Sequence, residues 1–207
     1  RHDRAPRVMS RRALFVDRDG TLIADAGYPR DPALVEPLPG AAEALRELQG
    51  SFALVIISNQ SGIGRGLITE AEARAVHDRV IDVFGRAGVG FAGAYYCPHA
   101  PDAGCPCRKP APGLFLDAAR ELGLDLAGSI MLGDKASDVA AGHAAGCGHT
   151  IRFGPDVVED VMFRLLTVSA VPTLIDEKRL PLSMVNVMCS ATEAVAPTTV
   201  RWVLSII

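Results

Sequence analysis

The chain has 207 residues, of which 49% are hydrophobic, 22% charged and 5% aromatic. This length and composition fit one globular domain with an additional segment, exclude intrinsic disorder and collagen, and supply no run of about 20 apolar residues that could span a membrane. The 21 basic and 24 acidic residues give a net charge of −3, whereas a nucleic-acid-binding protein is expected to carry a basic surplus.

Strand and helix patterns alternate along the chain as far as residue 153. In chain order, the predicted elements are a strand at 12–17, a helix at 40–49, a strand at 52–57, a helix at 69–84, a strand at 92–96, a helix at 113–122, a strand at 129–132, a helix at 138–145 and a strand at 150–153. Thr69 and Glu72 have the spacing of a capping box at the start of the longest helix. Strands that alternate with helices form βαβ units, so the pattern predicts an α/β fold with a doubly wound, Rossmann-like parallel sheet.

These elements divide the chain into three parts. Residues 11–155 hold the alternating pattern and form the predicted main domain. Residues 1–10 form a basic N-terminal extension, and residues 156–207 form a C-terminal segment. Within that segment only 156–168 has the pattern of a short helix, and the remainder shows no clear periodicity.

Acidic residues follow two of the predicted strands. Asp17 and Asp19 come after the first strand, and Asp134 comes after the fourth. Because ligands of parallel sheets bind beyond the carboxyl ends of the strands, we expect these carboxylates to lie together. One carboxylate of such a pair can attack phosphorus while the other transfers protons, and Mg²⁺ takes oxygen ligands. The alternatives are an ordinary acidic turn and, for the second cluster, a helix capped by Asp138.

Groups that can bind phosphate occur at the same predicted edge. Ser58 ends the second strand and precedes a glycine-rich loop whose backbone N–H groups can hold an anion. Arg108 and Lys109 add positive charge that can offset the charge of a phosphate group. Taken alone, Ser58 would more often be part of an ordinary turn, and Arg108 and Lys109 would more often be a solvated basic pair.

Three of the five cysteines lie close together in the irregular loop 97–112. Cys97, His99, Cys105 and Cys107 supply three thiolates and one imidazole, which form a complete ligand set for a structural Zn²⁺. The alternative is a group of unlinked thiols beside a surface histidine. Cysteine use of this kind indicates a metal loop in a reducing cytoplasm rather than a secreted disulfide framework.

Four segments, taken in order, resemble the motifs of the haloacid dehalogenase (HAD) superfamily of phosphatases with an aspartate nucleophile. They are FVDRDGTL, IISNQ, CRKP and MLGDKASD, and the resemblance covers residues 13 to about 153. It implies a HAD-like fold, and neither usual insertion point has room for a cap domain.

Finer features resemble the heptose bisphosphate phosphatases of this superfamily. They are GYPRDP, SNQSGIGRG and the segment from YYCPH to CPCRKPAPG. The resemblance implies hydrolysis of the 7-phosphate of a heptose 1,7-bisphosphate, in the biosynthesis of nucleotide-activated heptose. Histidinol-phosphate phosphatases, which have a similar zinc loop, are the nearest alternative, and a non-catalytic binding module with this fold is an alternative of another class.

The resemblance also implies a role for each matched residue. Asp17 is the expected nucleophile, Asp19 the general acid and base, and Ser58 and Lys109 clamp the transferred phosphoryl group. Magnesium would be held by Asp17, the Asp19 carbonyl and Asp134, and zinc by Cys97, His99, Cys105 and Cys107. The expected substrate contacts are Asn59, Gln60, Arg65 and Arg108, the last of these beside the second phosphate.

The expected partner is a small sugar bisphosphate, with neither nucleic acid nor membrane bound. We expect a cytoplasmic monomer or weak homo-oligomer. We also expect zinc to order the loop that presents Arg108 and Lys109.

Overall fold

A computed structural model of the protein describes residues 11–152. The predicted extension 1–10 and the C-terminal segment 156–207 lie outside these residues. In chain order the elements are β1 (Arg11–Val16), a 3₁₀ turn (Pro32–Leu34), α1 (Ala41–Leu48), β2 (Ala53–Asn59), α2 (Ser61–Gly64), α3 (Glu70–Arg86), β3 (Gly93–Cys97), α4 (Gly113–Leu122), β4 (Leu124–Gly133), α5 (Ala136–Ala145) and β5 (His149–Arg152).

The five strands form one parallel sheet in the order β3-β2-β1-β4-β5. β1 lies at the centre, where Leu14 is in register with Leu54 of β2 and with Ile130 of β4. The chain builds outward from β1 first on one side and then on the other. The predicted fold class, a doubly wound parallel sheet, is therefore confirmed.

Helices cover both faces of the sheet because alternate residues of the buried strands point to opposite sides. Leu14 and Val16 of β1 face a core cluster that includes side chains of α1 and α3. Ala13 and Phe15 face a second cluster that includes side chains of α4 and α5. The apolar runs of the central strands are thus explained by burial on both faces.

β4 begins earlier than the sequence predicted, at Leu124 rather than residue 129. Its first residues pair with Arg11 and Arg12, and the register then shifts before Leu14 pairs with Ile130. At this irregularity the Ala13 N–H donates to the Ser129 hydroxyl at 2.8 Å instead of to a strand carbonyl. The extra strand residues are favoured by pairing with β1, because Asp, Ala and Gly have low strand propensity themselves.

Two helix starts also differ from the prediction. Residues Ser61–Gly64 form the short helix α2 within a segment predicted as loop. α5 begins at Ala136, so Asp138 is the third residue of the helix and not its N-cap. Its carboxylate accepts a hydrogen bond of 2.9 Å from the Lys135 N–H. The predicted capping box of Thr69 and Glu72 at the start of α3 is present.

Within residues 11–152 no separate domain is inserted into the sheet. The segment between β1 and α1 holds only the 3₁₀ turn and two isolated bridges. The segment between β3 and α4 is the cysteine-rich loop. The carboxyl edge of the sheet is therefore bordered by loops, as predicted. None of the helices described is long and apolar enough to cross a membrane.

Candidate active site

The polar residues predicted at the strand ends lie together at the carboxyl edge of the sheet. Asp17 directly follows β1, Ser58 is the penultimate residue of β2, and Asp134 directly follows β4. A pocket at this edge is lined by Asp17, Asp19, Ser58, Asn59, Lys109, Lys135, Ser137 and Asp138. The structure thus brings the four predicted catalytic residues to one place.

The Lys109 side chain is one of the groups that line this pocket. Its Nζ atom is 2.6 Å from Asp17 Oδ1, 2.7 Å from Asp138 Oδ1 and 2.7 Å from the Ile57 carbonyl oxygen. Lys109, Asp17 and Asp138 are all buried. One ammonium group therefore faces two carboxylates, and the site has an excess of negative charge in a poorly solvated place.

This environment changes the protonation of Asp17. Burial raises the pKa of Asp17 to about 7; Lys109 opposes the rise, and the Asp138 and Asp19 carboxylates add to it. A nucleophilic carboxylate must be ionised. A cation placed beside Asp17 would favour the ionised form, because an opposite charge lowers the pKa of a carboxyl group.

The acidic residues of the site have the donor atoms that a magnesium ion requires. Carboxylate oxygens of Asp17, Asp134 and Asp138 lie within 4.8 Å of one another. Asp134 Oδ1 is buried and has no hydrogen-bond partner among the described residues, which is costly for a carboxylate without a cation. Asp138 Oδ1 is likewise buried without a hydrogen-bond partner among these residues and lies 2.7 Å from Lys109 Nζ, while Asp138 Oδ2 accepts from the Lys135 N–H. Asp17, Asp134 and Asp138 thus together supply carboxylate oxygens that suit Mg²⁺.

Gly20 permits this approach of the two acidic segments. Its φ angle is +88°, and a Cβ atom built on it would lie 2.5 Å from Asp134 Oδ2. A side chain here would both strain the backbone and displace the carboxylate. The glycine of the DRDG sequence is thus explained by the position of Asp134.

The Asp19 carboxylate lines the same pocket but is not part of the close group formed by Asp17, Asp134 and Asp138. It accepts hydrogen bonds of 3.0 to 3.2 Å from the guanidinium group of Arg18, which is buried. It also accepts a hydrogen bond of 2.8 Å from Gln60 Nε2. Asp19 is therefore held at the pocket by two fixed donors, which suits a group that must transfer protons in a defined direction.

Asn59 and Gln60, predicted as substrate contacts, are turned toward catalytic groups. Gln60 is buried, and its Nε2 atom lies 2.8 Å from both Ser58 Oγ and Asp19 Oδ2. The Asn59 side chain is hydrogen-bonded to the main chain of Lys109. The strand end thus supplies side chains that connect the predicted acid/base, the serine and the lysine.

The four predicted zinc ligands lie together beside the active site. The three sulfur atoms of Cys97, Cys105 and Cys107 are 3.2 to 3.5 Å apart, and His99 Nδ1 is 3.5 Å from Cys97 Sγ and 3.2 Å from Cys107 Sγ. Burial raises the pKa of Cys105, but hydrogen bonds from the Cys107 and Cys97 thiols outweigh it and lower the value to about 7. Three sulfurs and one nitrogen at such separations form the donor set of a structural zinc site.

Comparisons with known proteins agree with this geometry. A family model described as HAD-hydrolase-like matches residues 106–151. A D-glycero-beta-D-manno-heptose-1,7-bisphosphate 7-phosphatase from Vibrio cholerae serotype O1 is 41% identical over 161 residues, which are 73% of this chain and 87% of that protein. The protein of the same name from Yersinia pestis is 42% identical over 144 residues, 66% of this chain and 77% of that protein. The chain belongs to the heptose bisphosphate phosphatase family.

A solved structure of this family has the same fold. The D,D-heptose 1,7-bisphosphate phosphatase from B. bronchiseptica, complexed with magnesium and phosphate, is 37% identical and aligns with a TM-score of 0.62. The alignment covers 67% of this chain and 78% of that chain. The family membership confirms the superfamily that the four sequence motifs indicated.

The two arginines predicted as substrate contacts, Arg65 and Arg108, are not among the residues that line this pocket. Arg65 Nη1 donates a hydrogen bond of 2.8 Å to the hydroxyl of Tyr28, and its guanidinium carbon is 5.6 Å from the centre of that ring. The hydrogen bonds from Ser61 and Arg65 and the positive charge of Arg108 lower the pKa of Tyr28. Arg108 Nη1 is buried without a hydrogen-bond partner in residues 11–152. Tyr28 thus belongs to a cationic group beside the pocket that sequence reasoning did not include.

Lys135 is a second residue that sequence reasoning did not assign. Its Nζ atom lies 3.2 Å from Asp25 Oδ2 and 3.7 Å from Asp134 Oδ2, and the side chain lines the pocket. The acidic groups of Asp134, Asp17 and Asp25 raise its pKa, while partial burial opposes this effect. The sequence did place Lys135 within the fourth motif, directly after Asp134, and this position could have indicated that it lies at the site.

Proposed function

We propose that this chain hydrolyses the 7-phosphate of D-glycero-β-D-manno-heptose 1,7-bisphosphate and leaves heptose 1-phosphate, as the names of its relatives describe. The observation that carries the proposal is the buried contact of Lys109 with Asp17 beside the free oxygen of Asp134, in a chain of this family. These groups would supply a nucleophile, a phosphate clamp and a cation site at one edge of the sheet. The product would enter the biosynthesis of nucleotide-activated heptose.

In the first step, a carboxylate oxygen of Asp17 attacks phosphorus and forms an aspartyl-phosphate. The bond between phosphorus and the sugar oxygen breaks, and Asp19 gives its proton to that oxygen. Lys109 and Ser58 hold the transferred phosphoryl group, with the lysine supplying positive charge against the charge that develops on its oxygens. Arg18 and Gln60 keep the Asp19 carboxyl group oriented during this transfer.

In the second step, water attacks the phosphorus of the aspartyl-phosphate. The Asp19 carboxylate, left ionised by the first step, takes a proton from this water. The bond between phosphorus and the Asp17 oxygen breaks, which releases inorganic phosphate and restores the Asp17 carboxylate.

The resident metal ions would be held by two separate groups of side chains. Asp17 and Asp134, with the main-chain carbonyl of Asp19, would hold Mg²⁺, which when bound neutralises charge on the phosphoryl group and on the nucleophile. Cys97, His99, Cys105 and Cys107 would hold a structural Zn²⁺.

The second phosphate of the substrate gives the cationic group around Arg65 a role. Arg108 immediately precedes the phosphate-clamping Lys109 in the chain, and its buried Nη1 has no partner among the residues described. A phosphate group would supply paired acceptors for such a guanidinium. Arg108 and Arg65 would therefore orient the sugar bisphosphate so that its 7-phosphate faces Asp17.

Phosphate release tests this proposal directly. With Mg²⁺ present, the chain should release one phosphate per molecule of heptose bisphosphate and prefer the β anomer over the α anomer. Histidinol phosphate should be a poor substrate, and a preference for it would instead assign the chain to the histidine pathway. Asp17→Asn should fold normally and release no phosphate. Normal turnover by this variant would exclude Asp17 as the nucleophile. Inactivity of the wild-type protein on every phosphate ester would instead favour a binding module.

A further inference from the structure

The Asn59 side chain makes a reciprocal pair of hydrogen bonds with the main chain of Lys109. Asn59 Nδ2 donates to the Lys109 carbonyl oxygen at 3.0 Å, and the Lys109 N–H donates to Asn59 Oδ1 at 3.0 Å. The two residues are 50 positions apart in the chain. A primary amide bonded in this way holds the two peptide groups on either side of the Lys109 Cα atom.

The two residues lie in very different kinds of structure. Asn59 is the last residue of β2 and is in register with Cys97, the last residue of β3. Lys109 lies in the loop between β3 and α4, outside any helix or strand. The amide pair therefore connects the lysine to the rigid end of a strand, at a position that the loop alone does not hold.

The Lys109 side chain needs this placement. Its ammonium group donates hydrogen bonds to Asp17 Oδ1 at 2.6 Å and to the Ile57 carbonyl at 2.7 Å, and it forms an ion pair with Asp138 Oδ1 at 2.7 Å. A displacement of about 1 Å at a reacting group can lower a rate by roughly 10²-fold. Loss of the amide pair would free the main chain of Lys109 and weaken these directed contacts.

We propose that Asn59 is a positioning residue that acts through Lys109 and not a residue that contacts the sugar. This inference rests on the proposed phosphatase activity for the role of Lys109. It assigns Asn59 a function that any phosphate monoester would require, whatever alcohol it carries. A sugar contact would instead contribute only to substrates that contain the sugar.

The first test compares two substrates in Asn59→Ala. For both heptose bisphosphate and 4-nitrophenyl phosphate, kcat should fall by roughly 10- to 100-fold, and the ratio of the two kcat/KM values should stay at the wild-type value. Arg65→Ala is the matched comparison, since it should lower kcat/KM for the bisphosphate alone. A loss confined to the bisphosphate in Asn59→Ala would overturn the positioning role.

The second test is a double-mutant cycle read by the binding of inorganic phosphate with Mg²⁺, which needs no turnover. Asn59→Ala and Lys109→Ala should each weaken phosphate binding, and the double variant should bind no more weakly than Lys109→Ala. Additive losses would show that Asn59 acts independently of Lys109 and would overturn the inference. Unchanged melting temperatures would establish that each variant is folded.

These tests separate failure of the inference from failure of the proposed function. If the wild-type chain hydrolyses 4-nitrophenyl phosphate and not the heptose bisphosphate, the substrate proposal fails while the effect of Asn59 on kcat is still measured. If the wild-type chain hydrolyses neither, the phosphatase proposal fails, and the phosphate-binding cycle still decides whether Asn59 acts through Lys109.

Discussion

Asp19, the proposed general acid and base, is held by two donors beside the proposed nucleophile. Its oxygens are held by Arg18 and Gln60, and its side chain lies apart from the acidic group around Asp134. This separation allows one aspartate to serve as nucleophile and the other to exchange protons with the sugar oxygen and with water. The arrangement predicts a specific result when only the proton-transfer function of Asp19 is removed.

Asp19→Asn should lower kcat by roughly 10²- to 10⁴-fold, because an amide cannot transfer the proton that the leaving oxygen requires. The amide keeps the shape of the carboxyl group and one acceptor for Arg18, so the fold should persist. Phosphate release from heptose bisphosphate measures the effect. Asp82→Asn, on the exposed surface of α3, is the matched control and should keep wild-type activity. A decrease in kcat of less than tenfold in Asp19→Asn would contradict the role of Asp19 as general acid and base.

The sequence predicted the residues that follow strands but not the contacts between them. Asp17, Ser58 and Asp134 could be placed together because parallel strands bring their carboxyl ends to one edge. Arg18 lies between two predicted catalytic residues, yet its direction depends on burial against the side of the pocket, which the sequence does not show. The link from Asn59 to Lys109 joins positions 50 residues apart, and no local pattern predicts such a contact.

At the scale of elements, the cysteine loop is attached directly to the end of β2 and to α2. The Gln60 N–H donates to the Cys97 carbonyl oxygen at 2.7 Å, and the Gly64 N–H donates to the Pro98 carbonyl oxygen at 2.7 Å. The same loop carries Lys109, which reaches the nucleophile. Any change in the order of this loop should therefore reach the catalytic pocket.

Removal of the predicted zinc ion should lower activity indirectly. Protein purified without chelator should contain one zinc per chain, and Cys105→Ser should lose the metal and most of its phosphatase activity, because the loop no longer fixes Arg108 and Lys109. Cys147→Ser is the matched control, since Cys147 lies outside the cysteine cluster, and it should retain zinc. Metal analysis measures the content; absence of zinc in the wild-type protein would contradict the prediction.

The contact of α2 with the cysteine loop depends on Gly64. A Cβ atom at this position would overlap the backbone nitrogen of Ala100 and would lie 2.8 Å from the Pro98 carbonyl oxygen. Gly64→Ala should therefore move α2 away from the loop and lower the free energy of unfolding by about 1–3 kcal/mol. Urea unfolding measures this loss.

Gly85 in α3 supplies the matched control for Gly64. A Cβ atom at Gly85 meets no atom within 4 Å, so Gly85→Ala should be neutral or should stabilise the protein by up to about 1 kcal/mol through helix propensity. Equal effects of the two substitutions would show that the close approach at Gly64 does not restrict the side chain.

At the scale of the whole molecule, the order of the strands places the active site. The chain adds β2 and β3 on one side of β1 and then β4 and β5 on the other. Such a reversal leaves a crevice at the carboxyl ends of the central strands, where ligands bind in sheets of this kind. The apolar runs predicted this architecture well, while the early start of β4 was missed because its first residues are strand-forming only through their pairing with β1.

The global stability of this sheet and its helices should depend on pH through His77. This histidine is buried on α3 and packs against the ring of Tyr96 at 5.6 Å between ring centres. Burial lowers its pKa from 6.5 to about 4, with Arg18 adding to the effect and Asp78 and Asp19 opposing it. The folded protein therefore excludes a proton that the unfolded chain binds below pH 6.5.

The sign of this effect follows from proton linkage. The contribution of His77 is fully present above pH 6.5 and is lost as pH falls toward 4, and it amounts to about 2 kcal/mol between pH 8 and pH 5. The raised pKa of Asp17 has the opposite effect on stability as the pH falls. Because Asp17 is present both in the wild-type protein and in a variant at position 77, its effect cancels when the two are compared. Urea unfolding at pH 8 and at pH 5 measures the free energy of unfolding of the wild-type protein and of His77→Gln, which has no titrating group at this position. Between these pH values the wild-type protein should lose about 2 kcal/mol more of this free energy than the variant. Equal losses in the two proteins would show that His77 is protonated without cost in the folded state.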